Sequence, residues 1–476
     1  MAKVLFLQRD GYESFGVMYL AAALAERGHT ADVLVEFYEG SHFYRKIQAE
    51  QPDVVAFSVM TGLHGWAAEA AARVKAVCDC TVIAGGPHAT FFPEFVEEPG
   101  LDAICRGEAE DALPDFVDAL VRGGDGADVP GFWVKTPAGL ARNELYPLRP
   151  VLDDIPLPDR ALYRRRYPGR ETGRGVEILA ARGCPFSCSF CYNHVLRRLY
   201  AGKGRYVRRH GHDRLLEEIR REQRDRPGGL RYVAFVDDLF IQDRDWLEGF
   251  LARYRVEVGL PFTCAVRANL VDDGLVDELA ASGCRVVSFG VESGDERLRN
   301  EVLGKKISEE QILRTGELLS RHGIRFSTFN MFNLPGETLA LARKTLDLNL
   351  RLGPSNHPWS GLLQPYRGTR VYDHIVEQGL ASGEAMQAGL FHQAVLHQPD
   401  TEALTAFTAC FYWMVRLPRL RRLFFWLARR GGVVADRLFG LTASLHRYVR
   451  LMEPLEGGNP WLSALRLGWR RLRAYV

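Results

Sequence analysis

The chain has 476 residues, of which 47% are hydrophobic and 25% are charged. This composition is typical of a globular protein of two or three domains, and no apolar run approaches the ~20 residues of a membrane-spanning helix. The formal net charge of +2 is too small to indicate a nucleic-acid-binding surface, so we expect no nucleic acid partner. The nine cysteines show no disulfide framework and the first residues show no signal-peptide pattern, which predicts a cytoplasmic location.

Residues 1–125 alternate between strand and helix patterns and form the first predicted domain. Short apolar runs predict five strands, and helical patterns such as 19–26 and 66–77 lie between them. The predicted strands are 3–7, 32–35, 54–58, 81–84 and 103–105. Strand–helix alternation at this spacing predicts a parallel sheet covered on both faces, in which ligands bind beyond the carboxyl ends of the strands.

Four polar or glycine-rich loops fall at those carboxyl ends, at residues 10–16, 58–62, 85–88 and 107–110. Two adjacent glycines in the third loop would let the backbone approach a ligand closely. The alternative is a flavodoxin-like domain that binds no cofactor. The candidate binding residues in these loops are Glu13, Gly16, Ser58, Thr61, Gly85, Gly86, Pro87, His88, Gly107 and Glu108.

Residues 126–175 are rich in proline and lack periodicity, which predicts an extended linker. A second strand–helix alternation then covers residues 176–380. Its six predicted strands are 176–181, 232–236, 262–267, 286–291, 326–332 and 361–364. Six such units predict a partial TIM-type barrel, whose catalytic residues would lie at the carboxyl ends of the strands. We therefore expect an α/β protein.

Three cysteines, Cys184, Cys188 and Cys191, follow the first of these strands in the string GCPFSCSFCYN. Three thiolates in one short loop can hold an iron–sulfur cluster, and a cubane cluster would keep one iron without a protein ligand. An open coordination position is typical of a catalytic metal site rather than a structural one. The alternative is a zinc knuckle in which His194 serves as the fourth ligand.

This cysteine loop resembles the cluster loop of the radical S-adenosylmethionine (SAM) enzymes, and Phe190, directly before the last cysteine, is also typical of that family. The resemblance implies that the open iron of a [4Fe-4S] cluster binds the amino and carboxylate groups of SAM. It also implies that one electron from the cluster cleaves SAM to a 5′-deoxyadenosyl radical.

Further strings at the predicted strand ends match the same family. The string VAFVDDLF would hold the SAM amino group, the arginine that ends the third strand would contact the SAM carboxylate, and the glutamate of FGVESG would bind the ribose hydroxyls. The asparagine and the Pro-Gly pair after the fifth strand would line the adenine. The resemblance thus implies SAM-site roles for Asp237, Asp238, Arg267, Asn269, Glu292, Ser293, Asn330, Pro335 and Gly336.

The four loops of the first domain are similar to those of the cobalamin-binding domain found upstream of many radical SAM enzymes, above all GGPHATFFPE and DAICRGEAE. Ser58 resembles the serine that contacts the dimethylbenzimidazole of cobalamin in that family. One feature departs from the methionine-synthase-type domains, which carry a cobalt-ligating histidine after the first strand. Gly11 and Glu13 stand at the matching aspartate and histidine positions, so we expect cobalt to have no histidine lower ligand.

The resemblance implies a cobalamin-dependent radical SAM enzyme, of the subgroup that methylates unactivated carbon or phosphinate phosphorus. A small-molecule or lipid-like substrate and an electron donor such as flavodoxin or ferredoxin follow from that assignment. Cyclisation, ring rearrangement or aminocarboxypropyl transfer without methylation is the alternative within the family. A cobalamin or redox sensor without catalysis is the alternative from another class.

Residues 381–476 are helical in pattern and match no family. From Phe411 onward the chain has thirteen arginines and three acidic residues. In 417–430, Leu420, Leu423, Phe424 and Leu427 would share one face of a basic amphipathic helix, which can bind an anionic membrane surface. The alternative is a helix packed on the protein with solvated arginines, in which Trp413, Trp426, Trp461 and Trp469 anchor the core.

Overall fold

The computed structural model describes residues 1–169, 175–226, 228–382 and 393–429. Two compact units are present. The first comprises Met1–Gly173 and Val195–Arg208, and the second comprises Arg174–His194 and Arg209–Val476. The segment 195–208 therefore belongs to the first unit, although it follows the cysteine loop in sequence.

The first unit is built on a seven-stranded sheet of order β2-β1-β3-β4-β5-β6-β7. The strands are β1 Lys3–Gln8, β2 Thr30–Val35, β3 Val54–Ser58, β4 Thr81–Gly85, β5 Ala103–Cys105, β6 Phe132–Thr136 and β7 Gly139–Arg142. The first five strands pair in parallel, as the sequence predicts. The helices are α1 Phe15–Glu26, α2 Glu36–Glu39, α3 Phe43–Glu50, α4 His64–Val77, α5 Pro87–Phe91, α6 Ala112–Val121 and α7 Ala161–Arg166.

Side chains of β1 alternate between two buried layers. Val4 and Phe6 pack in the layer that includes α1 and α6, whereas Leu5 and Leu7 pack in the layer that includes α3 and α4. Because both faces of the sheet are covered, the strands are apolar throughout and the polar residues fall in the loops. This is the expected doubly wound domain.

The segment 126–175, expected as an extended linker, contains regular structure. Strands β6 and β7 pair antiparallel and β6 adds to the edge of β5, so the hairpin extends the parallel sheet. A hairpin needs only local pairing, and the apolar residues Phe132 and Val134 give β6 a buried face. The helix α7 follows in the same segment.

The second unit contains a six-stranded sheet of order β15-β14-β13-β12-β11-β8, and every neighbouring pair is parallel. Its strands are β8 Gly175–Ile178, β11 Tyr232–Phe235, β12 Phe262–Val266, β13 Cys284–Glu292, β14 Arg325–Phe332 and β15 Trp359–Leu362. Two short strands, β9 Ala181–Arg182 and β10 Arg208–Arg209, lie between β8 and β11 in sequence. Strand order equals chain order, which confirms the predicted half-barrel of the TIM type.

Helices alternate with these strands and cover the outer face of the half-barrel. They are α9 His212–Asp225, α10 Arg244–Glu257, α11 Asp273–Ala281, α12 Glu309–Arg321, α13 Leu339–Arg351 and α14 Arg370–Glu377. The helix α8 Asn193–Leu199 lies mostly within the segment 195–208, and Val195 packs with Phe91 and Phe92 in the first unit. Two more helices, α15 Thr401–Arg416 and α16 Arg421–Ala428, follow the barrel. The helix α15 packs on the side chains of Phe332 and Leu362, so the helical C-terminal region completes the barrel core at its last strands.

No helix among the described residues has both the length and the apolar character needed to cross a bilayer. Trp413, which belongs to α15, is buried, in agreement with the packed-helix alternative, whereas Trp426 is half exposed. Trp461 and Trp469 lie outside the described residues.

Candidate functional site

The three cysteines of the second unit lie in an irregular loop that follows β8 and β9. Cys188 is buried, and Cys184 and Cys191 are half-buried. The loop is fixed by backbone contacts with a segment far away in sequence. The Ser189 amide donates to the carbonyl of Leu303 over 2.8 Å, and the Ser189 hydroxyl donates to the carbonyl of Val302 over 2.5 Å.

Arg267, which follows β12, is the main side chain that holds this loop. Its guanidinium lies 3.9 Å from the centroid of the Phe186 ring and donates to Cys188 Sγ over 3.5 Å. Another of its nitrogens donates to the carbonyl of Lys305. The sequence predicts a SAM-carboxylate contact for Arg267. In the structure Arg267 contacts the cysteine loop and the segment that packs under it, and the SAM contact stays a prediction.

Asn193 contacts a second cysteine, since its amide nitrogen donates to Cys191 Sγ over 3.5 Å. N–H groups that point at sulfur suit thiolate ligands of an iron–sulfur cluster. Burial raises the pKa of Cys191 to about 11 and also raises the pKa of Cys184, so these thiols are protonated at neutral pH when no metal binds them. This disfavours a free thiolate nucleophile. A metal would deprotonate them on binding, so the donor set fits a cluster.

Among the described residues, no group of three or more His, Cys, Asp or Glu side chains has the arrangement that holds a single metal ion. Cys188 adds to the raised pKa of both Cys184 and Cys191, whereas Arg267 opposes the rise in the pKa of Cys184. The loop therefore presents three sulfurs beside one guanidinium.

The two aspartates after β11 have different surroundings. The Asp237 carboxylate is buried and accepts hydrogen bonds from the amides of Ala180 (3.2 Å) and Ala181 (2.5 Å), and burial raises its pKa to about 7. Asp238 is exposed, and it accepts a hydrogen bond from the Tyr192 hydroxyl at 3.4 Å. Asp237 thus fixes the chain just before the cysteine loop, and Asp238 is the carboxylate that a ligand can reach.

Glu292 ends β13 with φ +63°, a left-handed conformation that is costly for a residue with a side chain. Its carboxylate accepts a hydrogen bond from the Lys305 ammonium, and both side chains are 8% exposed. Lys305 also lies 6.0 Å from the centroid of the Phe190 ring. Sequence reasoning missed Lys305. The only signal was its place in the string LGKK after FGVESG, and the sequence does not show which lysine is buried.

The structure gives Ser293 and Asn330 packing roles. Ser293 is completely buried, and its hydroxyl accepts from the Asp295 amide over 3.2 Å. The Asn330 amide is completely buried in a network with Thr328, Asn349 and the carbonyl of Trp359. Side chains alternate along a strand, and position 330 faces α13. The Asn330 side chain therefore stabilises the packing of β14 and α13, and its predicted place beside an adenine stays a prediction.

The loop after β14 contains Pro335 and Gly336, the other residues expected near the adenine. Pro335 is buried, and the Gly336 amide donates to Gln398 Oε1 over 3.0 Å. Asn333 accepts a hydrogen bond from the same Gln398 side chain. The segment 396–401 therefore stabilises this loop. Asn269 lines a groove formed mainly by α12 residues, and no cysteine contributes to that groove.

In the first unit, Ser58, Gly16 and Gly86 come together at the carboxyl edge of the sheet. Ser58 is exposed at the end of β3. A Cβ atom at Gly16 would lie 3.8 Å from Ser58 Oγ, and one at Gly86 would lie 3.4 Å from Ser58 Oγ and 2.9 Å from the Val59 amide nitrogen. Gly86 has φ +91°, so glycine is required there. The narrow cradle around Ser58 fits the nucleotide tail of a cobalamin.

His88 lies beneath this edge rather than at its surface. The ring is 1% exposed and is stacked between His64 (4.3 Å) and Phe92 (4.9 Å). His88 Nδ1 is 3.2 Å from Thr61 Oγ1, and burial lowers the pKa of His88 to about 3, so the ring is neutral. The His88 side chain therefore supports the loop with Thr61, and its contact with a cofactor stays a prediction.

The loop after β5 is held by residues that sequence reasoning missed. The Glu108 amide donates to the Tyr200 hydroxyl over 2.7 Å, and the Glu108 carboxylate pairs with Arg208. A side chain at Gly107 would collide with the Tyr200 hydroxyl. Glu13 and Gly85 are half-buried and Pro87 is exposed, in the loops where the sequence places them.

A three-cysteine loop on a parallel half-barrel, together with a doubly wound ligand-binding domain, defines a class of two-cofactor redox enzymes. Residues 178–348 match the family model of the radical SAM superfamily, and residues 10–117 match that of the B12 binding domain. The chain is a radical SAM protein with an N-terminal B12-binding domain, which confirms the resemblance inferred from its motifs.

The relatives include methyltransferases and a cyclase. An uncharacterised methyltransferase of Pyrococcus horikoshii is 28% identical over 77% of this chain and 79% of its own. The hopanoid C-3 methylase of Methylococcus capsulatus is 28% identical over 66% of this chain and 55% of its own length. The anaerobic magnesium-protoporphyrin IX monomethyl ester cyclase of Rubrivivax gelatinosus is 26% identical over 72% of this chain and 63% of its own.

Among solved structures, the cobalamin-dependent SAM radical enzyme OxsB with aqua-cobalamin bound has a similar fold. The TM-score is 0.69 at 16% identity, over 100% of this chain and 81% of that chain.

The buried Glu337 carboxyl in the loop after β14 predicts a pH dependence of stability. It accepts a hydrogen bond from the Leu334 amide over 3.1 Å, and burial raises its pKa to about 8. Because the folded state binds this proton more tightly than the unfolded state, Glu337 should lower stability as the pH rises from about 4.5 to 8. Urea denaturation of wild type and Glu337→Gln across this range measures the effect. The variant should lose stability less steeply with pH, and parallel curves would contradict the prediction.

Proposed function

We propose that the protein is a cobalamin-dependent radical SAM methyltransferase that acts on a small-molecule or lipid-like substrate. The cysteine loop carries this proposal, because Arg267 and Asn193 direct N–H groups at two of its three sulfurs. Methyl transfer is favoured over other outcomes because two of the relatives above are named as a methyltransferase and a methylase.

When bound, the cluster supplies the electron for reductive cleavage of SAM, and cobalamin supplies the transferable methyl group. Cys184, Cys188 and Cys191 ligate the cluster, and Arg267 offsets part of the negative charge of their thiolates. The exposed Asp238 carboxylate attracts the SAM ammonium, and Glu292 accepts hydrogen bonds from the ribose hydroxyls.

In the first unit, Ser58, Gly16 and Gly86 cradle the cobalamin tail. The contact between Thr61 and the buried His88 ring and the Tyr200–Glu108 contact keep the flanking loops in place. Such fixed loops bind a rigid ligand without a large cost in conformational entropy.

An iron–sulfur enzyme of this kind needs an external electron donor, and we propose a flavodoxin or a ferredoxin. All nine cysteines are free thiols in the structure. Free thiols and a reducible cluster both favour a reducing compartment, so we place the protein in the cytoplasm.

A second candidate function is radical chemistry without methyl transfer. The relative named as a cyclase favours it, because it aligns with 72% of this chain. Transfer of an isotopically labelled methyl group from SAM to product separates the two functions, since cyclisation gives an unlabelled product.

Anaerobic reconstitution with iron, sulfide and cobalamin tests the cluster assignment. We expect a brown protein that releases 5′-deoxyadenosine from SAM when reduced, because three thiolates leave one iron open to SAM. The Cys184→Ala/Cys188→Ala/Cys191→Ala variant should lose the absorbance of the iron–sulfur cluster, because its metal ligands are gone. It should form at least about 100-fold less 5′-deoxyadenosine than wild type.

The matched control is Cys78→Ala/Cys80→Ala, which removes two thiols outside the loop and should retain the cluster. A colourless wild-type protein that binds zinc through the three cysteines would contradict the assignment. So would 5′-deoxyadenosine formation by the triple variant.

We also propose that cobalt receives no histidine from this protein. The loop before α1 contains no histidine, and the nearby His88 ring is closed off by its neighbours. Electron paramagnetic resonance of bound cob(II)alamin should show the same spectrum in protein with natural and with ¹⁵N-labelled histidine. A change in nitrogen splitting between the two samples would prove that a histidine ligates the metal.

A peripheral membrane contact by 417–429 is the remaining proposal. Four large apolar side chains there are between 41% and 51% exposed, namely Leu417, Leu420, Leu423 and Trp426. Arg419, Arg421 and Arg422 beside them are exposed too. Apolar residues next to arginines suit an anionic lipid surface.

Flotation with vesicles that contain anionic lipid measures this contact. Wild type should float with the vesicles, and Leu420→Asp/Leu423→Asp should float at least about 10-fold less, since each change removes buried apolar area and adds repulsion. Val256→Asp alters an exposed apolar residue on α10 and should float like wild type. Equal flotation of all three proteins would argue against contact through this segment.

A further inference from the structure

The sequence predicts Glu292 as a site residue but does not predict its ion pair with Lys305. Both side chains are 8% exposed, so two opposite charges are removed from water together. Removing one partner of a buried pair leaves the other charge without compensation, which is strongly unfavourable. Glu292 therefore depends on Lys305 for its charge balance.

The pair lies directly against Gly290, two residues before Glu292 in β13. A Cβ atom at Gly290 would collide with both the Glu292 carboxylate and the Lys305 ammonium. The glycine of FGVESG thus provides the space that the pair occupies. This is an observation independent of the ion pair itself.

A second buried cation fixes the separation between the two charges. Arg299 is completely buried, and it donates to the Ser293 carbonyl over 2.7 Å and to the Ile307 carbonyl over 2.8 Å. These two carbonyls lie next to Glu292 and close to Lys305 in sequence. Arg299 therefore closes the 292–307 segment into a loop that presents Lys305 to Glu292.

The same segment contacts the cysteine loop. The Lys305 carbonyl accepts from Arg267, whose guanidinium also donates to Cys188 Sγ, and Leu303 accepts from Ser189. A displacement of Lys305 would therefore shift both the Glu292 carboxylate and the loop that would hold the cluster.

We propose that Lys305 is a positioning residue of the SAM site, which holds the Glu292 carboxylate oriented toward the ribose hydroxyls. This inference rests on the proposed function. The ammonium has three N–H donors, and one is used by Glu292, which leaves donors for the carboxylate of the same cofactor.

Titration of the reconstituted protein with SAM tests the proposal, with binding followed by calorimetry. Lys305→Met should weaken SAM binding by about 10- to 100-fold, the range typical of residues that orient a ligand-binding group. Lys305→Arg should recover part of the affinity because it keeps the positive charge. The matched control, Lys306→Met, changes the exposed neighbour and should bind SAM like wild type.

Two further variants separate positioning from general stability. In a Glu292→Gln background, Lys305→Met should have a much smaller effect than in wild type, since the charge that it balances is gone. Gly290→Ala keeps both charges and displaces the pair, so it should also weaken SAM binding.

The paramagnetic resonance spectrum of the reduced cluster supplies a readout that does not depend on turnover. Lys305→Met should show the wild-type cluster spectrum without SAM and should lose the change that SAM causes. Wild-type SAM affinity in Lys305→Met would overturn the proposal, and so would loss of its cluster signal before SAM is added. If wild type itself binds no SAM, the proposed function fails instead.

Discussion

The guanidinium of Arg267 is the interaction on which the rest of the second unit's site depends. The loop from Cys184 to Cys191 has no helix or strand of its own to fix it, so its shape must come from its neighbours. Arg267 stacks on Phe186, donates to Cys188 and holds the carbonyl of Lys305. One side chain thereby joins the third strand, the cysteine loop and the 292–307 segment. A planar guanidinium can do this because its donors point in several fixed directions.

Buried charged side chains recur around this loop, and three of them have polar partners inside the protein. Asp237 accepts two backbone amides, Glu292 meets Lys305, and Arg299 donates to two carbonyls. Buried polar groups that are fully paired define one arrangement of the chain, because every alternative leaves a charge unsatisfied. The half-barrel thus gains a rigid carboxyl edge, which is the edge where a parallel barrel binds its ligands.

In the first unit, mostly neutral groups fix the loops at the carboxyl edge of the sheet. Close packing of Ser58, Gly16 and Gly86 leaves a narrow space, and the stacked rings of His64, His88 and Phe92 support it from beneath. The segment 195–208 adds Tyr200 and Arg208 to the loop after β5. That segment follows the cysteine loop in sequence, so one continuous stretch of chain contributes residues first to the second unit and then to the first unit.

The amino-acid sequence by itself determined the strand–helix alternation, the half-barrel and the cysteine loop. Alternation of apolar strands with helices is local, and the spacing of Cys184, Cys188 and Cys191 can be read directly. It also placed Glu292 and Asp238 at strand ends. Tertiary structure decided which neighbour each side chain meets. It turned Asn330 toward α13, enclosed Asp237 and His88, and selected Lys305 rather than Lys306 as the partner of Glu292. These choices depend on burial and on contacts between residues far apart in the chain, which a local pattern does not encode.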